Sequence, residues 1–263
     1  MRISVVADVH GNLADLARAG DDADLLLVLG DLLDYVDYHD PAGGILGRVF
    51  GADAVEPFIR MRTRGDFAGL HAYNQHLWAG IENPADTVSS IVRDRYHEIV
   101  GIMPTHTLLM LGNVDVLDDW RAVAPPRLQP LDGQTRIIGG RRFGFVGGGS
   151  TRPGMTVRRG DSPWRPYVRS ADEYLAAVAS LGPVDVLCTH IPPDLPLLRY
   201  DRIPARLEMY GPGLLEYIDR YQPSLAMSGH VHQPIAGRQR RGRTECVNVG
   251  HFQRVGQPYR IEL

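Results

Sequence analysis

VVADVHGN (Val5–Asn12) and MSGHVHQP (Met227–Pro234) stand near opposite ends of the chain, and each places two ligand-type side chains one residue apart: Asp8 with His10, and His230 with His232. Between them lie VLGDLLD (Val28–Asp34), MLGNVD (Met110–Asp115) and LCTHIPP (Leu187–Pro193), carrying Asp31, Asn113 and His190. Each of these residues follows directly on a short apolar run, the mark of a strand buried on both faces. Alternate residues of an extended segment point the same way, so Asp8 and His10 can reach one point together. The seven residues Asp8, His10, Asp31, Asn113, His190, His230 and His232 can therefore assemble one site from five distant segments.

Further apolar runs extend the pattern. Ile3–Ala7, Leu25–Leu29, Thr107–Leu111, Phe143–Val146, Val184–Cys188, Leu225–Met227 and Cys246–Val249 all read as strands. Ile137–Ile138 and Phe143 flank a glycine turn and predict a hairpin. Asn12 can cap a short helix through Arg18, Ser170 can cap a helix over Ala171–Leu181, and Gly213–Tyr221 is a shorter helix candidate. Strand–helix units followed by hairpins indicate an α/β (α+β) layered fold with mixed sheets.

The interval from Asp34 to Pro104, roughly 70 residues, is far longer than a crossover between strands requires. A helix is expected over Ala85–Val100, opened by Pro84, with Val88, Ile91, Val92, Tyr96 and Ile99 on one face. Another is expected over Ala54–Met61. The domain expectation is a single domain, 1–263, with a helical insertion at about 35–104. That insertion is either a cap or homo-oligomer surface, or only a decorated crossover.

The whole chain sets limits. Its 263 residues are 44% hydrophobic, enough for a sizeable core. A net charge of −3 makes no case for nucleic acid or an anionic membrane. No run approaches the roughly 18 apolar residues of a membrane span. The chain opens on a strand-like run without the regions of a signal peptide, which points to the cytoplasm. Cys188 and Cys246 sit in apolar runs and read as reduced core residues. All 28 basic residues are Arg, so any cationic grip on a substrate comes from guanidinium groups.

The donor set is carboxylate, imidazole and amide, without thiolate. It suits Mn, Fe, Zn, Co or Ni. Seven donors exceed one ion and fit two divalent or trivalent ions sharing a carboxylate. Ions about 3.5–4 Å apart clamp the attacking and leaving oxygens of a phosphoryl displacement and acidify water.

The series Asp8-x-His10, Gly30-Asp31, Gly112-Asn113-x-Asp115, His190 and Gly229-His230-x-His232 resembles the calcineurin-like metallophosphoesterase superfamily, from Ile3 to about Asn248. The resemblance implies two mixed β-sheets packed face to face and flanked by helices, a four-layer arrangement. It implies that Asp8, His10 and His232 hold one ion, that Asn113, His190 and His230 hold the other, and that Asp31 bridges. Asp31, Asn113 and Asp115 are the implied catalytic group, Asp115 supporting the ligands from behind. Val114 departs from the family, which usually carries a phosphate-contacting His there. Some small bacterial phosphodiesterase-like members resemble this chain in lacking it.

The expected activity is a dinuclear phosphoesterase that hydrolyses phosphodiesters or activated phosphoesters by a metal-bridging hydroxide. The alternatives are a phosphomonoesterase or nucleotide hydrolase of the same fold and, in another class, a non-catalytic metal-bound scaffold binding a protein partner. The expected substrate is a small phosphoester or nucleotide. Arg152, His251 and His39 are candidate substrate-binding residues, with Arg158 and Arg159 beside them. The glycine run Gly147–Gly149 is either an anion-facing loop or a tight connection.

Overall fold

Alternate residues of the N-terminal strands are buried in two different cores. In β1 (Arg2–Val6) and β2 (Leu25–Val28), Ile3, Val5, Leu25 and Leu27 face one apolar cluster, whereas Val6, Leu26 and Val28 face another. That is why these strands read as continuous apolar runs rather than as alternation. The computed structural model describes residues 1–157, 162–200 and 209–263.

Five helices and a third strand complete the N-terminal half. α1 (Leu13–Leu16) is capped by Asn12, whose side chain accepts from the Asp15 amide. Between β2 and β3 (Thr107–Leu109) come α2 (Gly44–Phe50), α3 (Ala52–Arg64), α4 (Phe67–Ala79) and α5 (Pro84–Ile102). α5 starts at Pro84 and buries Val88, Val92, Tyr96 and Ile99, the face expected from its spacing. α3 runs well past the expected Ala54–Met61 and continues across Pro57. α2 and α4 were not expected. α4 buries only Trp78 fully, so its sequence carries little of the periodicity that marks an amphipathic helix.

α6 (Leu117–Val123) follows β3, and then β4 (Gln134–Ile138) and β5 (Arg141–Val146) pair as the expected hairpin. The short strands β6 (Gly149–Ser150) and β7 (Val168–Arg169) pair with each other. α7 (Ala171–Ser180), β8 (Val186–Thr189), α8 (Leu214–Tyr221), β9 (Leu225–Ser228), β10 (Arg238–Arg241), β11 (Thr244–Asn248), α9 (Phe252–Val255) and β12 (Tyr259–Glu262) complete the order. Ser170 caps α7 in a reciprocal pair with Glu173.

One sheet has the order β12-β1-β2-β3 and the other β10-β11-β9-β8-β5-β4. Each is parallel at its centre and antiparallel at an edge: β12 runs against β1, β10 against β11 and β4 against β5. The cluster of Ile3, Val5, Leu27, Phe143, Phe145, Cys188 and Met227 fills the space between the two sheets. The outer face of the first sheet packs on α1, α5 and α6 through Leu16, Tyr96 and Trp120. The outer face of the second packs on α7 and α8 through Tyr174, Val178, Tyr217 and Ile218. The layers are thus helix, sheet, sheet, helix, as the resemblance implied. Cys188 and Cys246 are free and buried. No helix among the described residues is long and apolar enough to cross a membrane.

Candidate metal centre

All five ligand-bearing segments end at the same edge of the two sheets. Asp8 and His10 follow β1, Asp31 follows β2, Asn113 follows β3, His190 follows β8, and His230 and His232 follow β9. The carboxyl ends of parallel strands are where sites form in open α/β sheets. The backbone there is bent out of the extended region. Asp8 (φ 56°), His10 (40°), Asp31 (54°) and His230 (67°) all lie in the left-handed region, an uncommon conformation for non-glycine residues that concentrates at functional sites.

Two motif glycines permit this turn. Gly30 has φ +98°, and a Cβ on it would run into the backbone of Gly112. A Cβ on Gly112 would in turn run into Asp31 Oδ1 and the His190 ring. The two loops meet glycine to glycine because nothing larger fits between them.

The donor atoms form two sets that share Asp31. In the first, His10 Nε2 and His232 Nε2 face each other at 3.1 Å. Asp8 Oδ1 lies 3.5 Å from His232 Nε2 and 4.0 Å from His10 Nε2. In the second, Asn113 Oδ1 lies 2.8 Å from His190 Nε2 and 2.7 Å from His230 Nδ1. Asp31 Oδ2 stands between them, 3.8 Å from His10 Nε2 and 3.3 Å from His190 Nε2. Asp8, His10 and Asp31 form one group of potential ligands, and Asp31, His190 and His230 another.

The surroundings fit transition-metal ions. His10 Nδ1 is 2.8 Å from the Leu33 carbonyl, and His190 Nδ1 is 2.8 Å from the Leu29 carbonyl. A carbonyl only accepts, so each Nδ1 carries the proton and each Nε2 is aimed at the cluster, the ligand orientation that outer hydrogen bonds impose at metal sites. Both Asp8 oxygens accept from the His230 amide. Asn248 Nδ2 donates to the Val231 carbonyl, and Tyr200 OH receives the His232 amide and donates to the His230 carbonyl. These contacts hold the Gly229–His232 loop in place. Neither Tyr200 nor Asn248 carries a sequence signal of its own, because each acts through backbone groups distant in sequence.

Charge follows the same geometry. Burial works against ionisation of Asp31, yet the charge and hydrogen bond of His190 outweigh it and hold the carboxyl well below its usual range. Burial also disfavours a charged His190, but the Asp31 carboxylate raises it to about 9. Burial and the neighbouring His190 push His230 down to about 4.

Asp115 is fully buried behind the cluster and accepts from the amides of Leu32, Leu33 and Gly112. It is a positioning residue that ties the Asp31 loop to the Asn113 loop, and it does not line the cleft. Burial and the Asp31 charge push its carboxyl up to about 7.

His251 joins His10 and His232 in a third ligand-type group, stacked on His232 with ring centroids 3.8 Å apart. His39 lines the cleft, whereas Arg152 lies in an exposed turn and is not among its lining residues. Arg158 and Arg159 lie outside the described residues. The glycine run is a tight connection: the amides of Gly147, Gly148 and Gly149 are taken by Asp132, Leu111 and Tyr167. It offers those N–H groups to no anion.

Two donor sets sharing one buried carboxylate, at the strand ends of a two-sheet fold, are the equipment of a metal-dependent phosphoesterase. The sequence profile of the calcineurin-like phosphoesterases matches residues 1–234, and the chain belongs to that family. One solved crystal structure is 18% identical over 96% of this chain and 91% of its own, with a TM-score of 0.55, and shows the same fold. GAP50, the anchor in the inner membrane complex of Plasmodium, is 11% identical over 95% of this chain and 71% of its own, with a TM-score of 0.41. A putative 5′-nucleotidase from Staphylococcus aureus, solved with alpha-ketoglutarate, is 14% identical over 95% of this chain and 48% of its own, with a TM-score of 0.41. No curated protein is a significant match.

Proposed function

We propose that this phosphoesterase holds two ions and prefers phosphodiesters, or esters with activated leaving groups. The observation that carries the dinuclear reading is the position of Asp31 Oδ2 between His10 Nε2 and His190 Nε2. Asp8, His10 and His232 would complete one site, and Asn113, His190 and His230 the other. Two transition-metal ions bound there supply Lewis acidity at the phosphoryl oxygens and a water acidic enough to attack near neutral pH.

The chain's own residues set the remainder. The carbonyls of Leu33 and Leu29 keep the imidazoles of His10 and His190 aimed inward, and Asp115 keeps the two loops together. Val114 supports the diester preference. Its side chain lines the cleft where relatives carry His, and it cannot protonate a leaving group. General-acid help contributes about 10²–10⁴-fold, so its loss weighs most on poor leaving groups. His251 and His39, both on the cleft, are the imidazoles we assign to substrate contact. Two buried free cysteines fit the reducing cytoplasm. The complete donor set counts against a purely structural scaffold.

The test is hydrolysis of bis-p-nitrophenyl phosphate against p-nitrophenyl phosphate with Mn²⁺, beside Asp31→Asn. Diester turnover that falls by about 10³-fold or more in Asp31→Asn is expected. Faster turnover of the monoester would reverse the diester preference, and turnover unchanged in Asp31→Asn would remove the shared site.

A further inference from the structure

The cleft does not end at the metal centre. A cavity of about 320 Å³ is lined both by donor residues and by Tyr35, Tyr38, Phe58, Arg62 and Leu70 from the segment between β2 and β3. That volume suits one small organic molecule. Tyr35 is a rigid part of this wall. Its hydroxyl donates to Asn74 and accepts from Trp78, and its ring packs on Trp164 at 4.8 Å. Tyr38 is different: it is 52% exposed and makes no ring contact among the described residues. Arg62 is the only Arg among the described residues lining the cavity. It makes no ion pair among the described residues, and its guanidinium sits over the Phe67 ring at 5.1 Å. That contact orients the charge without neutralising it.

The wall thus offers an unpartnered aromatic face and an uncommitted guanidinium in the same cavity as the phosphoryl site. We propose that this wall is the distal subsite for an organic phosphate with a planar ring and a second anionic group, the chemistry of a nucleoside diphosphate. Tyr38 stacks on the ring and Arg62 takes the second phosphate, a group guanidinium binds in bidentate fashion. The acidic Asp37 on the same wall is occupied: its Oδ1 accepts from the His39 and Asp40 amides. The proposal rests on the phosphoesterase reading for its orientation, since the metal centre takes the first phosphate.

The test is direct binding to the Mn²⁺-loaded protein, by calorimetry, of adenosine 5′-monophosphate and the non-hydrolysable α,β-methylene analogue of adenosine 5′-diphosphate. One charge-assisted contact corresponds to about tenfold in affinity, so the diphosphate analogue is expected to bind about tenfold tighter than the monophosphate. In Arg62→Gln that ratio should fall to about one, and in Arg64→Gln, two residues further along α3 and outside the cavity lining, it should persist. Tyr38→Ala should weaken both ligands about equally. A ratio near one in the unmodified protein, or a ratio unchanged in Arg62→Gln, overturns the subsite. Should the ratio behave as expected while no phosphoester is hydrolysed, the subsite stands and the catalytic reading falls. Hydrolysis with a ratio near one does the reverse.

Discussion

The backbone amide of Val114 donates to Asp31 Oδ1 at 2.9 Å, so position 114 serves the shared carboxylate through its main chain while its side chain faces the cleft. The two roles are separable. Val114→His keeps the amide and restores an imidazole to the cleft. It should raise kcat for alkyl phosphodiesters by roughly 10–10²-fold, and for p-nitrophenyl esters by much less, because only the former need a proton on the leaving group. An equal gain on both ester types in steady-state kinetics would refute the leaving-group argument.

Gly30 and Gly112 are where the Asp31 and Asn113 loops touch. Gly30→Ala puts a side chain at φ +98° and against the Gly112 backbone. We expect a loss of about 3 kcal/mol in urea unfolding, at the upper end of ordinary point substitutions, with metal content also reduced. Native stability together with a full metal complement would show that the loops part freely.

Metal uptake should depend on pH with a defined sign. In the metal-free protein His190 is raised to about 9 by Asp31, against the effect of burial, whereas His230 is lowered to about 4. At pH 7, His190 therefore holds a proton that an incoming ion must displace, and His230 does not. Affinity at this site should rise about tenfold per pH unit between pH 7 and 9 and level off above, with about one proton released per ion. Calorimetric titration with Mn²⁺ in buffers of different ionisation heat counts that proton. Affinity independent of pH over this window would exclude the His190–Asp31 coupling.

Ser170 and Glu173 form a reciprocal cap at the start of α7, with Ser170 Oγ accepting from the Glu173 amide and Glu173 Oε2 from the Ser170 amide. Ser170→Ala should cost about 1 kcal/mol of stability and leave kcat unchanged, since α7 packs on the outer face of the second sheet. Thermal unfolding beside ester hydrolysis reads both. A fall in kcat would mean that α7 positions the site.

The strand-end ligand candidates are legible because their information is local. An apolar run, a ligand and a glycine stand within a few residues of one another, and a strand's period of two makes Asp8 and His10 neighbours in space. The same locality exposed α5, whose apolar spacing is strong, and hid α4, whose single fully buried residue, Trp78, leaves no pattern to read.

The sequence by itself determined the two-sheet architecture, the seven donors and the absence of an imidazole at position 114. Only the tertiary structure decided that Tyr200 and Asn248 hold the Gly229–His232 loop, that His251 stacks on His232, and that Arg62 and Tyr38 reach the cavity. These relations join residues tens to hundreds of positions apart. Nothing in the local chain encodes them; they are set by sheet order and by the packing of α3 and α4 beside the strand ends, which close one cleft from segments that share no local pattern.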